Sequence, residues 1–191
     1  IGSEFESLRE YTPDDEFRKI DWNATARRGK LIVRDYQTER SQNILLLLDA
    51  GRNMLAEVEG MRKFDTVLNT ALMLAYVAVQ MDDKVGAMVF ADEVDQFIPP
   101  QRGRAQVAHL TERLHAVQPR LVEPDYLYAV TYLARRWRKR SLMVFFTDLI
   151  DPDSSRMLLH AVGALRKQHL CVVVTVADPR LRAWSQQLPE N

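Results

Sequence analysis

Cysteine is almost missing from this chain: Cys171 stands alone, inside the apolar run Leu170 to Val174. A disulfide framework is excluded, and a buried, inert thiol in a reducing compartment is expected. Net charge is missing too, with Lys plus Arg and Asp plus Glu at 26 each, so nothing global points to nucleic acid or to an acidic membrane surface. No apolar stretch approaches the length of a membrane-spanning helix, and no signal peptide is visible. There is no Gly-Lys-Ser/Thr P-loop, and Asp49-Ala50-Gly51-Arg52-Asn53-Met54 is not a dinucleotide-binding glycine fingerprint. The first residue is Ile rather than Met, so the chain reads as a piece of something longer. Its 191 residues, 47% hydrophobic and 27% charged, suit one soluble α/β domain.

Two long apolar runs are present, and they end alike. Ile44-Leu45-Leu46-Leu47-Leu48 closes on Asp49, and Leu142-Met143-Val144-Phe145-Phe146-Thr147 closes on Asp148. Runs this continuous are expected as central strands of a parallel sheet, covered on both faces. Sites in open α/β sheets lie outside the carboxyl ends of the strands, where the strand order reverses. If the two strands are neighbours at that point, Asp49 and Asp148 share one crevice.

The remaining pattern alternates helices with strands. Apolar residues from Met61 to Met81 recur at helical spacing, ended by Asp82-Asp83. Val85 to Phe90 reads as a strand in which Gly86 allows close packing. Ala91-Asp92-Glu93 turns into Val94–Ile98 as an antiparallel edge hairpin that Pro99-Pro100 stops. Helices are expected over 104–117, with Val107, Leu110, Leu114 and Val117 on one face, and over 124–140, with Leu127, Val130, Leu133, Ala134 and Trp137 inward. Another opens at Pro152 with Met157, Leu158, Val162 and Leu165 inward. Leu170–Val176 is the last strand, broken by Asp178-Pro179 and followed by a partial helix from Leu181. The basic cluster from Arg135 to Arg140 reads as a solvated last helical turn, favoured by the helix dipole, ahead of a nucleic-acid patch. Residues 1–41 are dense in charge, with Trp22 as the large apolar anchor. Pro13-Asp14-Asp15 is a turn or helix-start signal and Leu31-Ile32-Val33 a short edge strand. These residues are expected as an N-terminal extension packed on the domain formed by 42–191; a partner-docking surface is the sharper alternative.

Two carboxylates at adjacent strand ends suit a hard divalent cation such as Mg²⁺. A haloacid-dehalogenase-type phosphotransferase would need a second Asp where Gly51 stands. A receiver domain would need a Lys where the strand at 170–176 ends in Ala177-Asp178. What remains resembles the von Willebrand factor A domain, whose metal site is written Asp-x-Ser-x-Ser. Asp49-x-Gly51-x-Asn53 stands in that place, with Asp148 from a later loop. The N-terminal blocks Arg9-Glu10-Tyr11-Thr12-Pro13-Asp14-Asp15 and Arg18-Lys19-Ile20-Asp21-Trp22-Asn23-Ala24-Thr25-Ala26-Arg27-Arg28-Gly29 resemble the signature of the domain-of-unknown-function family 58. The likeness runs from the N-terminus to Ala177. It implies an α/β, von Willebrand A-like (Rossmann-like), mostly parallel sheet with helices on both faces and one antiparallel edge strand. It also implies a non-enzymatic interaction module of bacteria. Members of that family sit on the cytoplasmic side of the inner membrane behind transmembrane helices. They work with MoxR-type AAA+ ATPases in assembly or chaperone-like maturation. This chain would be the soluble part following such an anchor, with Arg9, Tyr11, Asp21 and Trp22 as candidate docking residues.

The likeness is incomplete at the metal site. Gly51 brings no oxygen, Asn53 brings an amide, and Pro124, in Glu123-Pro124-Asp125, stands where the family's metal-site Thr would be. Two readings follow. Asp49, Asn53 and Asp148 hold a weak, hydrated Mg²⁺ or Mn²⁺; or the metal is lost and a cationic side chain replaces it, with Arg52 the nearest. In a third, plainer reading the acids only cap helices. The rival from another class is a Mg²⁺-dependent phosphohydrolase or phosphotransferase. Against it, no second acid, base or nucleophile stands near Asp49, and His109, His115, His160 and His169 are not placed to help.

Overall fold

The computed structural model describes residues 4–38, 41–148 and 152–176. Asp151, the Asp178-Pro179 break and the tail from Leu181 lie outside the described residues. The chain divides into two units, Ile1–Ser41 and Gln42–Asn191.

In the first unit β1 (Glu4–Glu10) is followed by α1 (Trp22–Arg28) and β2 (Ile32–Thr38). β1 and β2 pair antiparallel, Glu10 opposite Ile32. β1 was not legible, because Glu-Phe-Glu-Ser-Leu-Arg-Glu lacks the period-two alternation that marks a strand, and the edge strand expected at 31–33 is longer than its apolar residues. Asp21 starts α1 by accepting the amides of Asn23 and Ala24, each at 3.0 Å. Gly29 ends it at φ 66°, where a residue with a Cβ is strained. Ile20, Ile32 and Val33 are buried. Trp22, expected as the apolar anchor, is instead 62% exposed at the first position of α1.

The second unit runs β3 (Asn43–Asp49), β4 (Glu57–Val58), β5 (Met61–Arg62), α2 (Lys63–Gln80), β6 (Lys84–Phe90), β7 (Val94–Gln101), α3 (Arg104–His115), α4 (Tyr126–Arg136), β8 (Leu142–Phe146), α5 (Pro152–Leu165) and β9 (Leu170–Val174). The sheet order is β7-β6-β3-β8-β9. All neighbours are parallel except the edge pair β6/β7. Because β3 connects first toward β6 and the chain then crosses to β8, the order reverses between β3 and β8. That is where such sheets place their sites.

Alternate side chains of β3 feed two cores. Ile44, Leu46 and Leu48 pack with Phe64, Val67, Ala71, Leu110 and Leu114 of α2 and α3. Leu45 and Leu47 pack with Tyr126, Val130, Leu133, Leu158 and Leu165 of α4 and α5. Covering both faces is why the strand carries no polar alternation.

Several expectations need correction. Met157, expected inward on α5, is 50% exposed, whereas Leu158 and Leu165 are buried. Pro99 and Pro100 do not stop β7; the strand runs through them to Gln101, with register irregularities. A sheet edge tolerates residues that cannot donate to a ladder. Gly86 sits beneath them: a Cβ there would lie 2.4 Å from the Ile98 carbonyl oxygen and 2.6 Å from Pro100 N. The inward face of α4 is turned by one residue, with Tyr126, Ala129, Val130 and Leu133 buried and Leu127 exposed. The helix stops at Arg136, and Ala134 is on its exposed side. The basic cluster beyond stacks on its own aromatics, Arg136 over Tyr132 and Lys139 over Trp137.

Candidate functional site

Asp49 closes β3 with no exposed surface. One carboxylate oxygen accepts the Gly51 amide at 2.7 Å. The other accepts the Thr147 hydroxyl at 2.6 Å and the Tyr126 hydroxyl at 3.4 Å. Tyr126 and Thr147 are themselves linked at 2.8 Å. Burial pushes the Asp49 carboxyl above its usual range, against the pull of those hydrogen bonds, and the neighbouring charge of Asp148 adds to the rise.

Asp148, just past β8, is buried as well and is ion-paired with the Lys63 ammonium. Lys63 is the first residue of α2 and only 4% exposed. Asn53, in the 3-10 turn after β3, donates its amide nitrogen to the Asp148 backbone carbonyl at 3.2 Å. A carbonyl oxygen can only accept, so the end of the Asn53 amide that faces it is the N–H end.

A strap over residues 120–125 crosses the end of β3. Arg120 N donates to Ala50 O at 2.7 Å, Arg52 N to Val122 O at 2.8 Å, and Asp125 N to Ala91 O at 2.8 Å. Asp125 caps α4 by accepting the Tyr128 amide at 2.8 Å. Pro124 closes over Gly51: a Cβ on Gly51 would meet Pro124 Cδ, Val122 O and an Asp49 oxygen, each at 3.0 Å. Arg120 pairs with Asp92 at 2.8 Å and Asp95 at 2.9 Å. Between Arg120 and Val122, Leu121 is 82% exposed.

Arg52, expected as the cation nearest the two carboxylates, turns outward and pairs with Glu123 at 2.5 Å. The reason is local: its backbone is pinned to the strap, which brings Glu123 within reach, whereas Lys63 enters Asp148 from the helix. Lys63, Thr147 and Tyr126 were missed in the sequence. Lys63 had a signal, lying four residues before Val67 and eight before Ala71 on the buried stripe of α2. Tyr126 likewise precedes Ala129 and Val130 on the buried stripe of α4.

The expected docking residues of the first unit have partners within it. Arg9 pairs with Asp15, whose carboxyl is held well below its usual range chiefly by that arginine. Tyr11 meets Phe17 edge to face at 5.8 Å. Asp21 pairs with Arg34 at 2.7 Å, and its carboxyl is lowered first by the Ala24 amide and then by Arg34. Of the four, Tyr11 and Asp21 are half-buried, Arg9 is exposed but paired, and Trp22 is 62% exposed.

These residues fit a divalent metal poorly. Asp148 faces an ammonium, both Asp49 oxygens accept hydrogen bonds, Asn53 presents nitrogen and Gly51 nothing. Among the described residues no three His, Cys, Asp or Glu side chains cluster to hold an ion. No described helix is long and apolar enough to cross a membrane.

The sheet order, its single antiparallel edge and an aspartate closing the first core strand define a von Willebrand factor A-like α/β domain. The family described as "Protein of unknown function DUF58" matches residues 7–190, and the chain belongs to that family. An uncharacterized protein of Mycobacterium tuberculosis, Rv1480, is 27% identical over 182 residues, 94% of this chain and 56% of that protein. The uncharacterized YeaD of Bacillus subtilis is 24% identical over 147 residues, 77% of this chain and 35% of that protein. The chain thus spans about half or less of these relatives' length. Among solved structures, an aerotolerance-related membrane protein of Bacteroides fragilis aligns at TM-score 0.57 and 19% identity, covering 71% of this chain and 68% of that one. BatB of Bacteroides thetaiotaomicron aligns at 0.54 and 19%, covering 73% and 69%.

Proposed function

We propose that this domain is a non-enzymatic protein-docking module that presents the carboxyl-terminal end of its sheet to a MoxR-type AAA+ ATPase during assembly or chaperone-like maturation. We place it on the cytoplasmic face of a bacterial inner membrane, behind an anchor outside this chain. The observation that carries the docking reading is the strap. Three backbone hydrogen bonds hold residues 120–125 across the strand ends and leave Leu121 exposed between the Arg120 and Arg52 ion pairs. An apolar side chain on a rigid crest, rimmed by charge, is the anatomy of an interface anchor. The carboxylates behind it are bound to internal partners, which supports docking over phosphoryl chemistry.

The test is binding of a purified MoxR-type AAA+ ATPase from the same organism to the chain and to Leu121→Asp. The variant is expected to melt like the parent and to bind at least tenfold more weakly. Equal binding by both would remove Leu121 from the interface. Phosphoester turnover in Mg²⁺ that Asp49→Ala abolishes would replace docking with enzymology.

A further inference from the structure

We infer that the Lys63 ammonium is the resident cation of this switch point, holding the carboxylate a divalent ion would need, so that the domain engages its partner without metal. The clause about the partner rests on the docking reading above; the substitution itself stands on the isolated chain.

Three observations carry it. First, Lys63 is 4% exposed, and a buried ammonium persists only where a partner compensates its lost hydration. That partner is Asp148. Second, Lys63 occupies the first position of an 18-residue helix, where the dipole is positive and a cation is disfavoured. Helix stability alone would not put a lysine there; Asp148 accounts for it. Third, the surroundings are shaped for an ion already present. Mg²⁺ demands near-octahedral oxygen at about 2.0–2.1 Å. Here Asn53 Nδ2 is committed to the Asp148 carbonyl, Gly51 has no side chain, and Pro124 closes against it.

The decisive measurement is Mn²⁺ binding, read by electron paramagnetic resonance and by melting temperature on the isolated chain. The parent is expected to show no saturable Mn²⁺ binding up to millimolar concentrations and no rise in melting temperature. Lys63→Ser removes the ammonium and adds an oxygen. It is expected to melt on the order of 10 °C lower and to regain roughly 5 °C or more in Mn²⁺ at about 100 times its dissociation constant. Adding Asp148→Asn to Lys63→Ser should abolish that response. A saturable Mn²⁺ site in the parent that Asp148→Asn removes would overturn the inference. So would a folded Lys63→Ser that gains no Mn²⁺ site, whatever its melting temperature. If Lys63→Ser folds neither with nor without Mn²⁺, the parent titration decides alone: no site supports the inference, a site overturns it. The docking reading fails separately, by absence of an ATPase complex in both EDTA and Mg²⁺, and leaves these titrations untouched.

Discussion

Asp21 and Asp49 do the same local job in the two units, yet their surroundings drive them apart. Each accepts the amide two residues on, Asp21 from Asn23 at 3.0 Å and Asp49 from Gly51 at 2.7 Å. Asp21 adds the Ala24 amide and the Arg34 guanidinium, donors that favour its charged form and lower its pKa. Asp49 adds only neutral hydroxyls and is fully buried, so desolvation outweighs its hydrogen bonds and raises its pKa. A capping aspartate served by two amides and a half-exposed guanidinium is an ordinary stabilising device. The same residue buried at the end of a core strand is a charge held at a cost, and Lys63 on the neighbouring Asp148 is part of what makes the arrangement tolerable.

The largest expected difference between the units lies in their ion pairs. Lys63→Met leaves Asp148 buried and unpaired and should cost about 3–5 kcal/mol in a thermal or urea melt. Arg34→Met breaks a pair whose arginine is 38% exposed and should cost far less. Comparable losses would mean that the two ion pairs are equally buried in effect. The glycines come next. Gly86→Ala drives a Cβ into strand backbone and should cost about 1–3 kcal/mol. Gly29→Ala meets no atom within 4 Å and suffers only its φ of 66°, so it should cost less, with Asn tolerated better than Ala.

The pH dependence is smaller and opposite in sign. Asp49, raised above 3.8, binds a proton in the folded state that the unfolded chain has already lost. Its contribution to stability therefore declines as pH rises from 3.8 through its folded value. Asp15 and Asp21, lowered below 3.8, contribute stability that is present above 3.8 and lost as pH falls below it. A carboxyl-carbon NMR titration should place Asp15 and Asp21 below 3.8 and Asp49 above it. Asp49→Asn should remove the decline. A normal titration at Asp49 would show that water reaches it. Smallest of all, Leu121→Asp should move folding stability by no more than about 0.5 kcal/mol.

The sheet was legible because buried parallel strands write themselves as unbroken apolar runs. β3 and β8 could be read to within a residue or two, together with the acids that follow them. Gly86 could be read because only a missing side chain explains a glycine inside such a run. β1 could not, since its stability lies in pairing with β2 and not in its own composition. The site was half legible. Asp49 and Asp148 stand out by position, but their partners arrive from α2 and α4, and only the three-dimensional crossing shows that Lys63 and Tyr126 aim at the strand ends. Arg52 attracted attention through proximity in sequence, whereas backbone pinning sends it the other way. The orientation of α4 was missed by one residue because Leu127 is more apolar than Tyr126, and hydropathy alone cannot see the hydroxyl's appointment with Thr147.

The prolines of β7 have a consequence for self-association. The outermost strand of an open sheet is a template on which another chain can add itself by backbone pairing. Two adjacent residues of β7, Pro99 and Pro100, have no N–H to offer such a chain. The irregular register that accommodates them further spoils the flat ladder a newcomer would need. The prolines thus leave this edge a poor template for a second chain.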